Sequence, residues 1–333
     1  MDYRITATLG PGSAREEIWE AMVSAGADGF RLNTSHLSLG ELRGWVGRVG
    51  KFISSFSPGL SLVLDLQGSK WRLGEFPPFT LEPGKKVTLK HARSTRLPGV
   101  LPVPHADFFR AAPFSGREIV LNDARAVLAR ETVGPGFVEA RVVSGGEILP
   151  RKGVTYASCG FRAEEPGEKD RAIIEKTGGL PFVRYAVSYV KDAWEMSRYR
   201  EVFGPSVFLI AKLERGEALA DARGIALHAQ ELWLCRGDLG AELGLSGMAR
   251  ASCSFSAGVA GLPVPVMLAG QVLEHMVASP TPTRSEVCCI HDALAQGYGG
   301  VVLSDETAVG RHPVEACRTA ALFRGGGSRG FGA

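Results

Sequence analysis

Long apolar runs are missing from this chain of 333 residues. No stretch approaches the ~20 residues that span a bilayer, and "MDYRITATLG" at the start lacks the basic region and apolar core of a secretory signal, so a cytoplasmic location is expected. An excess of one charge is missing too: 38 Lys and Arg stand against 35 Asp and Glu, a net charge of +3. That balance gives no reason to expect a nucleic-acid or membrane partner. Metal-ligand spacing is absent from the six cysteines (Cys159, Cys235, Cys253, Cys288, Cys289, Cys317), which form no CxxC or Cys/His pattern. Buried free thiols are the expectation.

What is present is alternation. Short β-type runs and helix-length amphipathic segments follow one another: "ITATLG", a helix from about Arg15, "GFRLNTSH", a helix from about Leu39, then "LSLVLDLQG". Strand and helix in turn mark parallel βα units. After Gly68 the text becomes Pro- and Gly-rich with short β-type runs until about residue 158, which reads as a small β-barrel-like insertion. The alternation then resumes, with strands at "FVRYAVS", "VFLIAKLE", "ELWLCRGDLG", "VPVMLAG" and "GGVVLSDETA". Three units before the insertion and five after it predict an α/β (β/α)₈ TIM barrel with a lid inserted after strand 3. The barrel is expected over 1–68 and 159–324, the lid over 69–158, and a disordered Gly-rich tail over 325–333.

In such a barrel chemistry sits where strands end, and side chains two apart on a strand share a face. "LIAKLE" places Lys212 and Glu214 together, "LCRGDLG" Arg236 and Asp238, "FRLNTSH" Arg31, Asn33 and Ser35, and "LVLDLQG" ends with Asp65. Glu214 and Asp238, from adjacent strands, are hard oxygen donors suited to magnesium or manganese. Arg31 and Lys212 facing the same opening point to a multiply charged oxyanion, with a phosphoryl group in transfer the obvious one.

These motifs resemble the pyruvate kinase family: "TATLGPGS", "FRLNTSH", "LDLQGSKWRLG", "RKGV", "EKD", "IAKLERGEAL", "CRGDLGAELG", "PTPTRSE" and "LSDETAVGRHPVEA" occur in the family's order. The resemblance implies phosphoryl transfer between phosphoenolpyruvate and ADP/ATP with Mg2+ or Mn2+. It assigns Lys212 to stabilising the transferring group and the enolate oxygen, Arg31 and Arg72 to phosphate, and Glu214 and Asp238 to the divalent metal. Asn33, Ser35 and Asp65 fall on a monovalent-ion site, and Pro11, His36 and Lys152 near the nucleotide. The backbone of Gly237 and Asp238 would receive a carboxylate. A homodimer is expected, and the family's usual C-terminal regulatory domain looks absent.

Four departures narrow this expectation. "VMLAGQVLEHM" has Gly270 where the family carries the threonine that helps hold the keto acid and takes part in delivering a proton to the enolate carbon; its loss should leave space for a larger ligand. Lys70 replaces the glutamate of potassium-dependent members, and its ammonium could stand in for the monovalent ion, so no K+ requirement is expected. Leu66 replaces a threonine at that same ion site. Arg215 and Asp305 should add charge close to the pocket. An altered enolpyruvate or keto-acid substrate is therefore open, as are a metal-dependent lyase or aldolase working through a pyruvate enolate and a degenerate non-catalytic paralogue.

Overall fold

The computed structural model describes residues 3–122, 125–157 and 167–324, apart from the side chain of His36. The expected tail at 325–333, the proposed lid boundary at 158/159 and Cys159 lie outside the described residues. Eight parallel strands close a barrel: β1 Arg4–Thr8, β2 Gly29–Asn33, β3 Ser61–Leu66, β4 Val183–Val187, β5 Leu209–Leu213, β6 Glu231–Cys235, β7 Val266–Ala269 and β8 Gly300–Leu303. Each pairs with its sequence neighbour, and β8 returns to β1 through Arg4↔Gly300 and Ile5↔Val301. The (β/α)₈ expectation holds, three strands before the insertion and five after.

The period of two along each strand sorts its residues between two cores. In β5, Leu209, Ala211 and Leu213 face outward to the helices, whereas Ile210 joins the barrel interior with Val63, Ala186, Trp233, Met267 and Val302. Lys212 therefore continues the inward face at the strand's C-terminal end. The same alternation turns Arg31 of β2 and Asp65 of β3 inward, because Phe30, Leu32, Leu64 and Leu66 all belong to the outer core. The surrounding helices begin on local signals: Ser38 and Glu41 form a reciprocal cap for Leu39–Phe56, as Thr283 and Glu286 do for Arg284–Ala295.

Between β3 and β4 lies the β-rich insertion. It contains a six-stranded sheet running, in spatial order, Val154–Tyr156, Glu118–Leu121, Ala126–Gly134, Phe137–Ser144, Lys86–His91 and Val100–Val103, and a pair made by Phe79–Leu81 and Gly146–Ile148. It has a buried cluster of its own, from Trp71 to Tyr156. Trp71 is packed there against Phe108 and Tyr156, and its indole N–H donates to Asp107 Oδ2 at 2.6 Å, so it is a hinge-side packing residue. The isolated bridge Arg72↔Gly153 ties the outgoing strand to the returning one directly above the barrel mouth.

Candidate active site

The inward residues at the ends of β2, β3 and β5 meet in one charged network. Arg31 donates through Nε and Nη2 to Asp65 Oδ2 at 2.8 and 2.5 Å, and through Nη1 to Thr8 Oγ1 at 2.9 Å. Lys212 Nζ lies 3.1 Å from Asp65 Oδ2, 2.9 Å from Glu214 Oε1 and 3.0 Å from Ser188 Oγ. Ser188 in turn donates to Asp65 Oδ1 at 2.9 Å. Burial works against the Asp65 charge, but Lys212 and Arg31 outweigh it and hold the carboxyl at about 2. Burial likewise disfavours the Lys212 ammonium, yet Asp65 and Glu214 keep it above the ordinary lysine range.

A second set of charges borders the first. Glu214 Oε2 accepts the backbone N–H of Tyr189 at 2.6 Å, and Lys70 Nζ lies 2.5 Å from Asp238 Oδ1. Burial pushes the Glu214 carboxyl up, against the pull of Lys212, and the neighbouring Asp238 charge adds to the rise. A buried Glu214 carboxylate whose charge is opposed by burial and by the nearby Asp238 charge is relieved by a divalent cation, and both are hard oxygen donors, so these residues fit Mg2+ or Mn2+. Among the described residues no group of three or more His, Cys, Asp or Glu is placed to hold a metal ion.

Arg31, Asp65, Lys70, Ser188, Lys212, Glu214 and Asp238 line one cavity of about 210 Å³, together with Asn33, Ser35, Arg72, Lys152, Gly237 and Gly270. Arg72 is held there from the lid side by the bond from Nη1 to Arg151 O at 3.2 Å. Pro11 does not line it: it is exposed at the start of the turn Pro11–Ser13. The His36 side chain lies outside the described residues. Lys70 meets Asp238 in the same cavity as Asn33, Ser35 and Asp65, and the Asp65 oxygens are taken by Arg31, Lys212 and Ser188. Leu66 turns away into the outer core.

Two readings are corrected. Arg236 and Asp238 do not share a strand face, because β6 ends at Cys235 and both lie in the first turn of the helix Arg236–Ser256. Asp238 faces the cavity, while Arg236 turns back to donate to Gly270 O at 2.8 Å and Gln271 O at 2.9 Å. Arg215 and Asp305 directly follow the cavity-lining residues Glu214 and Ser304 without lining the cavity themselves. Arg215 is fully buried behind the site, 2.9 Å from Glu217 and over the Tyr189 ring, and Asp305 is exposed. Of the five described cysteines all are free, but only Cys235 and Cys317 are buried.

Gly270 brings a further correction. Its φ is +80°, followed by +53° at Gln271, and an added Cβ would lie 3.1 Å from Arg236 N and 3.3 Å from Gly237 N. The missing side chain leaves little room at the Cβ position itself, where backbone is drawn against the start of a helix in a conformation that glycine accepts, although Gly270 still lines the cavity.

Sequence reasoning missed Thr8, Ser188 and Tyr189. Thr8 and Ser188 are small hydroxyl residues at or just after the ends of β1 and β4, the same strand-end signal that exposed Asp65. Also missed was Asp170 of "EKD", whose carboxylate accepts the backbone N–H groups of Gln67 at 3.1 Å and Gly68 at 2.9 Å, fixing the turn that leads into the lid.

A family model described as "Pyruvate kinase, barrel domain" matches residues 2–317. A pyruvate kinase of Methylorubrum extorquens is 32% identical over 321 residues, covering 95% of this chain and 66% of its own length. One of Agrobacterium vitis is 31% identical over 322 residues, covering 94% and 66%. The chain thus spans just under two thirds of the length of these relatives. Crystal structures of pyruvate kinases from Pyrobaculum aerophilum and Cryptosporidium parvum both superpose with a TM-score of 0.82, at 24% and 23% identity. They cover 96% of this chain and 72% and 68% of their own, and show the same fold. With its closed barrel, its insertion after β3 and a family match over nearly its whole length, the chain belongs to the pyruvate kinase family.

Proposed function

We propose that the chain is a phosphotransferase that moves a phosphoryl group between phosphoenolpyruvate, or a modified enolpyruvate or keto acid, and ADP/ATP. The observation that carries this reading is the buried Lys212 ammonium, held at 2.9 to 3.1 Å by Glu214, Ser188 and Asp65 at the cavity floor. A fixed cation in a partly enclosed site stabilises charge on an enolate oxygen with little reorganisation. Arg31, locked by Asp65 and Thr8, and Arg72, brought by the lid, supply cations for the phosphoryl oxygens. Lys152 on the lid is assigned to the nucleotide side, as are Pro11 and His36 by their place in the motifs. The amides of Gly237 and Asp238, in the first turn of a helix that runs from Arg236 to a break at Gly244, would take the substrate carboxylate.

Glu214 and Asp238 would hold Mg2+ or Mn2+, which when bound supplies charge neutralisation between the phosphates. Residues 69–158 act as the lid over the barrel formed by 1–68 and 159–324. Lys70 brings a fixed charge into a cavity whose Asn33, Ser35 and Asp65 we assign to the monovalent-ion position, so rates should be equal in sodium and potassium buffers. A homodimer and a cytoplasmic location, where nucleotides are abundant, complete the reading. A lyase would have no use for Arg72, Lys152 and a nucleotide lid.

Incubating the protein with Mg2+, ADP and phosphoenolpyruvate should yield ATP. Absence of ATP together with absence of nucleotide binding by calorimetry would overturn the proposal. Gly270 lacks the family's hydroxyl, so turnover with plain phosphoenolpyruvate is expected to be lower than in the relatives, limited by protonation of the enolate.

A further inference from the structure

Lys70 is held at both ends. Its ammonium lies 2.5 Å from Asp238 Oδ1, in a pair only 10% and 17% exposed, and 6.0 Å from the centre of the Tyr189 ring. Tyr189 is the residue whose backbone N–H binds Glu214, and the Lys70 charge also bears on Glu214. Along its stem, Lys70 packs on the lid at Gly153, where an added Cβ would lie 2.6 Å from Lys70 Cε. Gly153 is the residue bridged to Arg72, and its carbonyl accepts the Asn122 N–H at 3.0 Å. At the root of this segment Gly68, at φ +60°, is fitted so closely against Ser188 that a Cβ would fall 1.8 Å from the Ser188 carbonyl oxygen. The ammonium is thus delivered to one place by a fixed turn and a packed stem.

We propose that Lys70 is a built-in counter-ion of the Glu214 and Asp238 pair, competing with a divalent cation for Asp238 and coupling that competition to the lid loop at 151–154. The inference rests on the reading that these two carboxylates hold the metal. An oxygen lone pair that receives an ammonium proton cannot ligate an ion, and an ion taken through the other Asp238 oxygen would stand a few ångströms from a positive charge in a partly buried site. Either way the cation must displace Lys70 or tolerate it. Displacement also frees the stem that packs on Gly153, so metal entry loosens the lid's contact with the barrel until substrate anions take up the released ammonium.

The test is Mn2+ binding to the full chain by titration calorimetry, without nucleotide or organic phosphate. Lys70→Gln should bind Mn2+ at least tenfold more tightly than wild type, and Lys70→Arg, which keeps the charge, should stay within about threefold. Mn2+ should speed amide exchange at 151–154 in wild type and not in Lys70→Gln. Lys70→Met serves as a second neutral variant if Lys70→Gln does not fold. Mn2+ binding by wild type with no tightening in either neutral variant would overturn the Lys70 inference and leave the metal assignment standing. No Mn2+ binding by wild type or any variant would overturn both.

Discussion

A lysine ammonium enclosed in protein stays charged only when its neighbours hold it so, and Lys212 has two carboxylates within 3.1 Å to do this. Replacing it by methionine removes the catalytic cation and leaves Asp65 and Glu214 facing each other with one counter-charge fewer. Lys212→Met is expected to lower ATP formation by a factor of 10³ or more, the scale of losing an electrostatic catalytic donor. It should also lower unfolding stability by about 3 kcal/mol, since a buried charge loses its partner. A coupled ATP assay and urea denaturation measure the two; retention of more than a tenth of the activity would exclude Lys212 as the stabilising cation. Gly270 is governed by its backbone. At φ +80°, with helix amides 3.1 and 3.3 Å from where a Cβ would be, Gly270→Ala should cost about 1–3 kcal/mol in urea unfolding. Gly270→Thr should cost more and should not restore turnover, because the branched side chain is disfavoured in that region. A Gly270→Thr protein with unchanged stability and raised turnover would show instead that the turn relaxes freely.

At the scale of elements, the strand ends that carry Arg31, Asp65 and Lys212 were legible because a period of two passes unbroken into the last residue of the strand. The same logic failed at "LCRGDLG", where the helix starts directly after Cys235 and a rotation of about 100° per residue sends Arg236 to Gly270 and Asp238 to the cavity. No apolar pattern announced that change of period, because Gly237 and Asp238 are compatible with either element. The β7 and β8 ends are joined by a feature equally hidden in sequence: Glu306, buried, accepts the N–H groups of Leu273 at 3.2 Å and Ser304 at 2.9 Å. Burial pushes its carboxyl up from 4.5 to about 7, although those bonds favour the ionised form. Between these values the unfolded chain releases a proton that the folded chain keeps. Stability therefore falls as pH rises from about 4.5 to 7, by on the order of 3 kcal/mol for this group. Glu306→Gln should flatten that part of the profile. Urea midpoints at pH 5 and pH 8 decide it: an equal change in variant and wild type would show that Glu306 does not titrate with folding.

For the whole molecule, the barrel and its inserted lid were readable from the rhythm of strands and helices, because eight strands buried on both faces and a run of short β segments with turn residues leave different textures in a sequence. The charge balance of the site was not readable, since it depends on which side chains meet from far apart in the chain, as Lys70 and Asp238 do across 168 residues. Three cations, Arg31, Lys70 and Lys212, are set among three carboxylates, Asp65, Glu214 and Asp238, and all six line one cavity. With each carboxylate paired to a cation, and Arg72 and Lys152 adding further positive charge to the same cavity, the barrel has no electrostatic need of a metal, and its cohesion comes from apolar clusters inside the strands, between strands and helices, and within the lid. Chelation by EDTA should therefore abolish ATP formation while shifting the melting temperature by less than about 2 °C, the change that ~1 kcal/mol or less makes in a protein of this size. In Lys70→Gln the carboxylates outnumber their partners, and binding to the folded state alone then stabilises it, so the same chelation should lower the melting temperature by several degrees more than in wild type. Scanning calorimetry of both proteins with and without EDTA separates the cases: a wild type that unfolds on chelation would show that the metal, and not the lysine pairs, holds the mouth of the barrel together.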